Sequence, residues 1–349
     1  MHDQIGGIEN FIMNHYRNIN KNSFQLDFII PYSKETYFEK EINALGGTIY
    51  HIPIKETNNF FMLNREITRI LRKNHYDIIH CNDTGLGYFY LRAAKKCNVP
   101  VRIAHSHASS SENTIKGLIK TILMKAYVNK ANVYFSCSEL AGKYMFSQKS
   151  FQIILNGIDP TKYRYNSRIR NKIRDDLHIN KNDIVLGNIA RLSSQKNQLF
   201  ALKVMSELPQ NYKMIIIGEG ELKSEIIKKI EKLNLNSRII LLPPTKKANY
   251  YYNAFDIYFM PSLFEGLPLT GIEAQFNGLP CVFSDRISKE VRQNGNVMFV
   301  SLDDTKNVIN AIKDAAKEGR TRNVQTDNYD IKKCTKKLEK YYYEAVYND

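Results

Sequence analysis

The 349 residues suffice for one or two domains with their own cores, and 43% apolar with 24% charged residues is the balance of an ordinary globular protein. No apolar run approaches the ~18–20 residues of a membrane span, no leader opens the chain, and five scattered cysteines without a Cys-x-x-Cys pair argue against structural zinc, so a cytoplasmic chain is expected. The formal charge of +15 suits phosphorylated substrates, anionic lipid or nucleic acid, although a Lys-, Asn- and Ile-rich composition also accounts for it.

The chain opens on Gly6-Gly7-Ile8-Glu9, followed by Phe11, Ile12, His15, Tyr16 and Ile19 at helical spacing. A glycine pair at a helix start suits close approach of the backbone to a ligand. The strand that should precede such a loop is missing, so the first domain is expected to be truncated or to lack an edge. Strands are predicted at 24–30, 48–52, 76–81 and 101–104, with helices at 35–45, 60–74 and 87–97 between them. This alternation predicts a doubly wound α/β domain. His105-Ser106-His107 ends the last of these strands, and a histidine at a strand's carboxyl end faces the ligand crevice. One of the two is expected to be functional rather than structural, with His107, deeper in the loop, preferred. Residues 114–130 carry an apolar stripe at helical spacing with Lys116, Lys120 and Lys130 off it. Such a basic helix lies on an anionic membrane surface or packs on its own domain. A strand at 133–137, a helix at 139–148 and a strand at 153–155 follow, and Asn156-Gly157-Ile158-Asp159-Pro160 is the candidate interdomain linker. A basic helix is then predicted at 163–177.

The second half restarts with a strand at 184–189, then Ala190-Arg191-Leu192-Ser193-Ser194-Gln195-Lys196-Asn197 and a helix at 198–207. Two cations around a strand-to-helix turn make an anion cradle, because Arg grips phosphate by two hydrogen bonds and Lys adds a point charge. Gly218-Glu219-Gly220 lacks the third glycine of a dinucleotide fingerprint and reads equally as a tight turn. A strand at 238–242 and a helix at 247–255 are predicted next. The richest stretch is 260–285, MPSLFEGLPLTGIEAQFNGLPCVFSD. It reads as the end of a buried strand, a loop carrying Glu265 and Gly266, a helix at 269–276 stopped by Asn277-Gly278, and a second buried strand at 281–283. Ligands of parallel sheets bind where strands end and helices begin. Glu265 and Glu273 therefore stand at the mouth of a sheet, where a carboxylate accepts from two neighbouring hydroxyls at once, and a polyhydroxylated ligand is expected. A last helix is predicted at 330–346.

ILNGID, RLSSQKN, IIIGEGEL and FMPSLFEGLPLTGIEAQFNGLPCVFSD resemble retaining glycosyltransferases of family 4, which have the GT-B fold. FIMNHYRNI, INALGG and RIAHSH resemble the branch that builds bacterial capsular polysaccharides and exopolysaccharides. The resemblance spans nearly the whole chain and is strongest in the E-x7-E element from Glu265 to Glu273. It implies an α/β protein of two Rossmann-like domains facing a cleft. Residues 1–155 would bind the acceptor, 156–329 the nucleotide-sugar, and the helix in 330–349 would cross back to the N-terminal domain. It implies Arg191 and Lys196 on the donor diphosphate, Glu273 on the ribose diol and Glu265 near the transferred sugar. The backbone at Gly266 and Leu267 would contact sugar or phosphate, His107 would lie near the sugar, and Gly6 and Gly7 would form a glycine loop beneath the diphosphate. Members normally have a strand before that glycine pair, and its lack here would expose the central sheet.

The expected reaction moves a sugar from a nucleotide-sugar, expected to be a UDP-sugar, to a lipid-linked oligosaccharide, with front-side attack on the leaving-group face. Arg191, Lys196 and the helix start near Leu269 would stabilise the departing diphosphate. No Asp-x-Asp motif occurs, so no metal or other cofactor is expected. The basic stretch 114–130 would dock the enzyme on the inner face of the cell membrane. The rival readings are a nucleotide-sugar epimerase of the same fold, an inactive truncated transferase, and a basic nucleic-acid-binding protein. Dispersed positive residues and the lack of a recognition motif argue against nucleic acid as a partner.

Overall fold

The computed structural model describes residues 7–107, 124–245 and 247–347. The chain divides into two compact units, Met1–Ile158 with Asn328–Asp349 (unit 1) and Asp159–Asp327 (unit 2). Among the described residues no helix is long and apolar enough to cross a membrane.

Unit 1 holds β1 (Asp27–Ile30), β2 (Thr48–His51), β3 (Ile78–Cys81), β4 (Val101–Ser106), β5 (Val133–Ser136) and β6 (Gln152–Ile153). All pairings are parallel, in one sheet of order β1-β2 and another of order β3-β4-β5-β6. Successive side chains of a strand point to opposite faces, so the strands feed two cores. Phe28, Ile103 and Phe135 pack with Phe11 and Tyr16 of the opening helix Gly7–Asn18, while Cys81 and Ala104 pack with Leu63 and Ile67. Leu63 and Ile67 belong to the helix Phe60–Lys73, which buries one stripe and is capped by Asn59, whose side chain accepts from the Met62 amide.

The helix predicted at 35–45 is confined to Glu39–Ala44, because Glu39 turns its carboxylate back onto the Thr36 amide at 2.6 Å and so closes a cap there. Of the basic stretch 114–130, residues up to 123 lie outside the described ones. In the remainder Met124, Tyr127 and Val128 are buried in the unit 1 core. The final helix, Ile331–Tyr347, crosses back to unit 1, where Leu338 and Tyr342 join the core beside Phe11 and Tyr16. The Ile158 amide donates to the Tyr329 carbonyl at 2.8 Å and the Ile331 amide to the Ile158 carbonyl at 3.0 Å, so the chain leaves and re-enters unit 1 at one place.

Unit 2 is a six-stranded parallel sheet of order β12-β11-β10-β7-β8-β9. Its strands are β7 (Ile184–Ile189), β8 (Tyr212–Ile217), β9 (Ile239–Leu242), β10 (Ile257–Met260), β11 (Cys281–Ser284) and β12 (Val297–Val300). Every residue of β10 and β11 is buried, which is why these stretches read as continuous apolar runs: helices cover both faces of a parallel sheet. β12 escaped the sequence reading as a short run behind Asn294-Gly295-Asn296, and the helix expected at 247–255 is one turn, Ala248–Tyr251. The basic helix expected at 163–177 is instead a 3₁₀ turn, Pro160–Tyr163, and a helix, Ser167–Asp176, capped by Asn166. From β7 the chain builds outward through β8 and β9, then crosses to the other side of β7 with β10. That reversal opens a crevice outside the carboxyl ends of β7 and β10.

Candidate active site

The site of unit 2 is assembled from the loops that follow β7, β8, β10 and β11. After β7, residues 190–197 turn into the helix Gln198–Glu207, and the buried Gln198 side chain donates to the Arg191 carbonyl at 3.0 Å, which fixes the turn. The loop after β8 lies directly against it, with the Leu192 amide donating to the Glu219 carbonyl at 2.9 Å. A Cβ on Gly218 would sit 1.9 Å from the Ala190 oxygen, and one on Gly220 2.2 Å from the Leu192 oxygen. The Gly-x-Gly pair is therefore required by backbone packing beneath the Arg191 turn, and the tight-turn reading explains it.

The loop after β10 is tied to the β7 loop at several points. The Leu263 amide donates to the Gln195 carbonyl at 2.8 Å, Gln195 Nε2 to the Phe264 carbonyl at 2.9 Å, and Asn197 Nδ2 to the Pro261 carbonyl at 3.2 Å. From the loop after β11, the Ser288 amide donates to the Glu265 carbonyl at 3.1 Å. Held in this frame, Lys196 Nζ donates to a Glu265 carboxylate oxygen, with side-chain exposures of 21% and 10%. Arg191 behaves differently: it is 74% exposed and pairs with Glu221 at 3.1 Å. A surface pair of this kind contributes little, so Arg191 can exchange Glu221 for an incoming anion at small cost. The two predicted cations are thus a held lysine and a loosely tethered arginine.

Glu273 lies on the helix Leu269–Phe276, and Gly266 and Leu267, both partly exposed, lie in the loop that leads to it. Its Oε2 accepts from the Tyr252 hydroxyl at 2.6 Å, and Tyr163 gives it a second hydrogen bond. Burial raises the Glu273 carboxyl above the usual carboxylate range, and the two tyrosines oppose that rise. Burial first, then the Glu273 charge, keeps both tyrosines protonated and donating. A carboxylate has about four acceptor positions. Two are taken by tyrosine, and the side chain is partly exposed, so the remaining positions can accept from hydroxyls outside the protein.

In unit 1, His105 and His107 stand at the end of β4, and their rings stack at 4.1 Å. His105 is fully buried and shares a 2.9 Å hydrogen bond with His80, which in turn meets the Tyr342 hydroxyl at 2.6 Å. His105 is thereby a structural link to the final helix. His107 is partly exposed and its Nε2 meets Asn82 Oδ1, just past β3, at 2.8 Å. Burial lowers the pKa of His107 to about 3, that of His80 to about 3 and that of His15 to about 4. All are neutral at pH 7. A buried neutral histidine resists the proton that the unfolded chain accepts below about pH 6.5. The stability it confers is complete above that pH and is lost as pH falls toward the folded pKa. For His15 this amounts to about 2 kcal/mol at pH 5. Urea unfolding of unit 1 is therefore expected to show a lower midpoint at pH 5 than at pH 7, and an unchanged midpoint would refute the neutral cluster.

Gly6 lies outside the described residues. Gly7 begins the opening helix, and a Cβ there would meet no atom of the described residues within 4 Å. The sequence reading missed Gln198, Tyr163, Tyr252 and Asn82. Tyr163 and Tyr252 reach Glu273 from distant segments, and no local pattern marks them. Among the described residues, no group of three or more His, Cys, Asp or Glu side chains could hold a metal ion.

Two families match the chain: Glycosyltransferase Family 4 over residues 5–162 and Glycosyl transferases group 1 over residues 169–330. The putative glycosyltransferase EpsF of Bacillus subtilis is 29% identical over 298 residues, covering 82% of this chain and 78% of the relative. A UDP-Gal:alpha-D-GlcNAc-diphosphoundecaprenol alpha-1,3-galactosyltransferase of Escherichia coli is 25% identical over 80% of this chain and 78% of its own length. Among solved structures, Anabaena HepE in complex with UDP and glucose superposes with a TM-score of 0.78 at 18% identity, covering 97% of each chain. At that identity the likeness shows the fold, which is GT-B.

Proposed function

This chain belongs to the family 4, group 1 glycosyltransferases of bacterial polysaccharide biosynthesis, and on that premise we propose that it moves a sugar, with retention, from a UDP-sugar to a lipid-linked oligosaccharide. The observation that carries the proposal is the pairing of Lys196 with Glu265 at the β7–β10 switch point, beside a Glu273 already oriented by two tyrosines. A lysine and a flexible arginine suit a diphosphate, and the open side of Glu273 suits a ribose diol. Glu265 and the backbone at Gly266 and Leu267 then fall to the sugar between them. The Escherichia coli relative uses UDP-Gal and a diphosphoundecaprenol acceptor by its name, and HepE was solved with UDP and glucose, which supports the choice of donor and acceptor class.

Bond cleavage at the anomeric carbon leaves negative charge on the nucleoside diphosphate and an oxocarbenium-like sugar. Lys196, Arg191 and the amides that open the helix at Leu269 stabilise the departing charge, and the acceptor hydroxyl attacks from the same face and passes its proton to the departing phosphate oxygen. Protein cations take the place of a divalent metal in this scheme. In unit 1, His107 is assigned as the catalytic-side histidine: neutral at pH 7 and oriented by Asn82, it offers a hydrogen bond to a sugar hydroxyl. The basic residues Lys116 and Lys120 of the stretch 114–130 are assigned to an anionic membrane surface, with the enzyme peripheral on its inner face, while Met124, Tyr127 and Val128 at its end pack in the unit 1 core.

A thermal-shift series tests the donor. UDP and one UDP-sugar at a hundred times Kd should raise Tm by roughly 5–10 °C, and GDP should leave it in place. A shift with GDP alone would overturn the UDP assignment. Turnover of the sugar nucleotide with no acceptor present would replace the transferase reading by an epimerase.

A further inference from the structure

Tyr163, Tyr252 and Glu273 reach one another from three separate segments of unit 2: a 3₁₀ turn, the end of a one-turn helix, and the helix Leu269–Phe276. One turn along from Glu273, Asn277 caps that last helix and is 2% exposed. Its Nδ2 donates to the Tyr163 carbonyl at 2.7 Å and to Asn253 Oδ1 at 3.3 Å. Its Oδ1 accepts from Arg320 Nη1, which also donates to the Asn277 carbonyl at 2.9 Å. Arg320 Nη2 donates to the carbonyls of Tyr252 at 2.9 Å, Asn253 at 3.1 Å and Phe255 at 2.6 Å. The guanidinium carbon sits over the Tyr165 ring, 4.4 Å from its centroid. Asn277 and Arg320 thus grip the backbone of each segment that carries one of the three groups: Tyr163 and Tyr252 by their own carbonyls, and Glu273 by the carboxyl end of its helix.

The last carbonyls of a helix have no partner within it, and an arginine beside them satisfies them. Here one guanidinium serves two helix ends, Tyr252–Phe255 after the helix Ala248–Tyr251 and Asn277 after Leu269–Phe276. Its donors lie in a fixed plane, so the two ends are held at one spacing, which the flexible point charge of a lysine does not fix. Burial lowers the Arg320 pKa to about 10, so the group is charged at pH 7. Taking a guanidinium out of water opposes folding, and an apolar side chain of similar volume is often as stable in its place. What an apolar side chain does not supply is a set spacing between two backbone segments. A recognition group must be held to within about 0.5 Å of its productive geometry. The Glu273 helix is only about two turns long, so the way its end is fixed decides where the carboxylate stands.

We propose that Asn277 and Arg320 are positioning residues for Glu273: together they lock the Tyr163 and Tyr252 segments to the end of the Glu273 helix, so that two phenols occupy part of the carboxylate and its remaining positions are aimed at a vicinal diol. The inference rests on the assignment of Glu273 to the ribose. Neither residue touches the nucleotide; both act through Glu273.

Calorimetric binding of UDP and of 2′,3′-dideoxy-UDP tests this without an acceptor or a turnover. The parent is expected to prefer UDP by about 30-fold or more. Asn277→Ala should cut that preference by about fivefold or more through weaker UDP binding, with dideoxy-UDP within about twofold of the parent. In a Glu273→Ala background the same substitution should change UDP affinity by less than about twofold, because the group it positions is gone. Arg320→Lys should also cut the preference. Arg238→Lys is the matched control: Arg238 is 3% exposed, and its guanidinium holds the carbonyls of Leu208, Pro209 and Tyr212 in the same unit. It should lower Tm and keep the parent's preference. If Asn277→Ala does not fold, Asn277→Asp takes its place, since it keeps the acceptor for Arg320 and drops the donor to Tyr163. A parent-like preference in the Asn277 and Arg320 variants would overturn the inference and leave the ribose assignment standing. Equal weakening of both nucleotides, or the same loss of preference in Arg238→Lys, would overturn it by making the pair purely structural. A parent that binds both nucleotides alike would end the ribose assignment itself, and the inference with it.

Discussion

Replacing Lys196 and Arg191 together by alanine is expected to lower the transfer rate by about 10³-fold or more, with Tm within a few degrees of the parent. In the proposed scheme each cation faces charge that grows as the diphosphate departs, and one such group removed from a partly closed site costs roughly 3 kcal/mol in the transition state. The structure separates the two contributions. Lys196 is half-buried and paired with Glu265, so Lys196→Ala alone should give the larger loss; Arg191 is exposed and tethered only to Glu221, so Arg191→Ala should give a smaller one. A rival explanation is that Lys196 serves only to neutralise Glu265. In that case the double variant Lys196→Ala with Glu265→Gln would recover activity, because the uncompensated carboxylate is gone. If Lys196 acts on the diphosphate, the double variant stays inactive. Parent-like turnover of Lys196→Ala with Arg191→Ala would end the cradle assignment.

Glu273→Ala should weaken UDP binding by about 30- to 1,000-fold, the value of one or two charge-assisted hydrogen bonds to ribose hydroxyls. Alanine also strands the Tyr163 and Tyr252 hydroxyls in a buried place, so some loss of Tm is expected with it. The two effects part company with 2′,3′-dideoxy-UDP. The parent is expected to bind it weakly, and Glu273→Ala should bind it no more weakly still, because the diol proposed to bind Glu273 is absent. An equal penalty for UDP and its dideoxy form would show that Glu273 is structural. Tyr252→Phe, which leaves the carboxylate but frees its Oε2, should change affinity far less than Glu273→Ala.

Much of the fold was legible in the residues themselves. The fully apolar runs of β10 and β11 announced a parallel sheet, because only strands covered on both faces can omit polar positions. Asn277-Gly278 stopped the helix as read, with Gly278 in the left-handed region at φ +79°. Glu265, Glu273, Arg191 and Lys196 were singled out because parallel sheets bind ligands at strand ends, and the structure places Arg191 and Lys196 after β7, Glu265 after β10 and Glu273 on the helix that follows. The shortened helix at Glu39–Ala44 was not, since a side chain folding back on its own backbone competes with helix without changing the apolar period.

What the residue order by itself determined is the set of elements and the loops that carry charge: periodicity and local turn chemistry are properties of neighbouring residues. What only the tertiary structure decided is pairing. Nothing local says that Lys196 belongs to Glu265 while Arg191 belongs to Glu221, or that Tyr163 and Tyr252 converge on one carboxylate. It also decided that His105 faces inward to His80 and the final helix while His107 faces Asn82. Those choices depend on which strand ends lie side by side, and strand order is set by burial across the whole sheet rather than by any single stretch of chain.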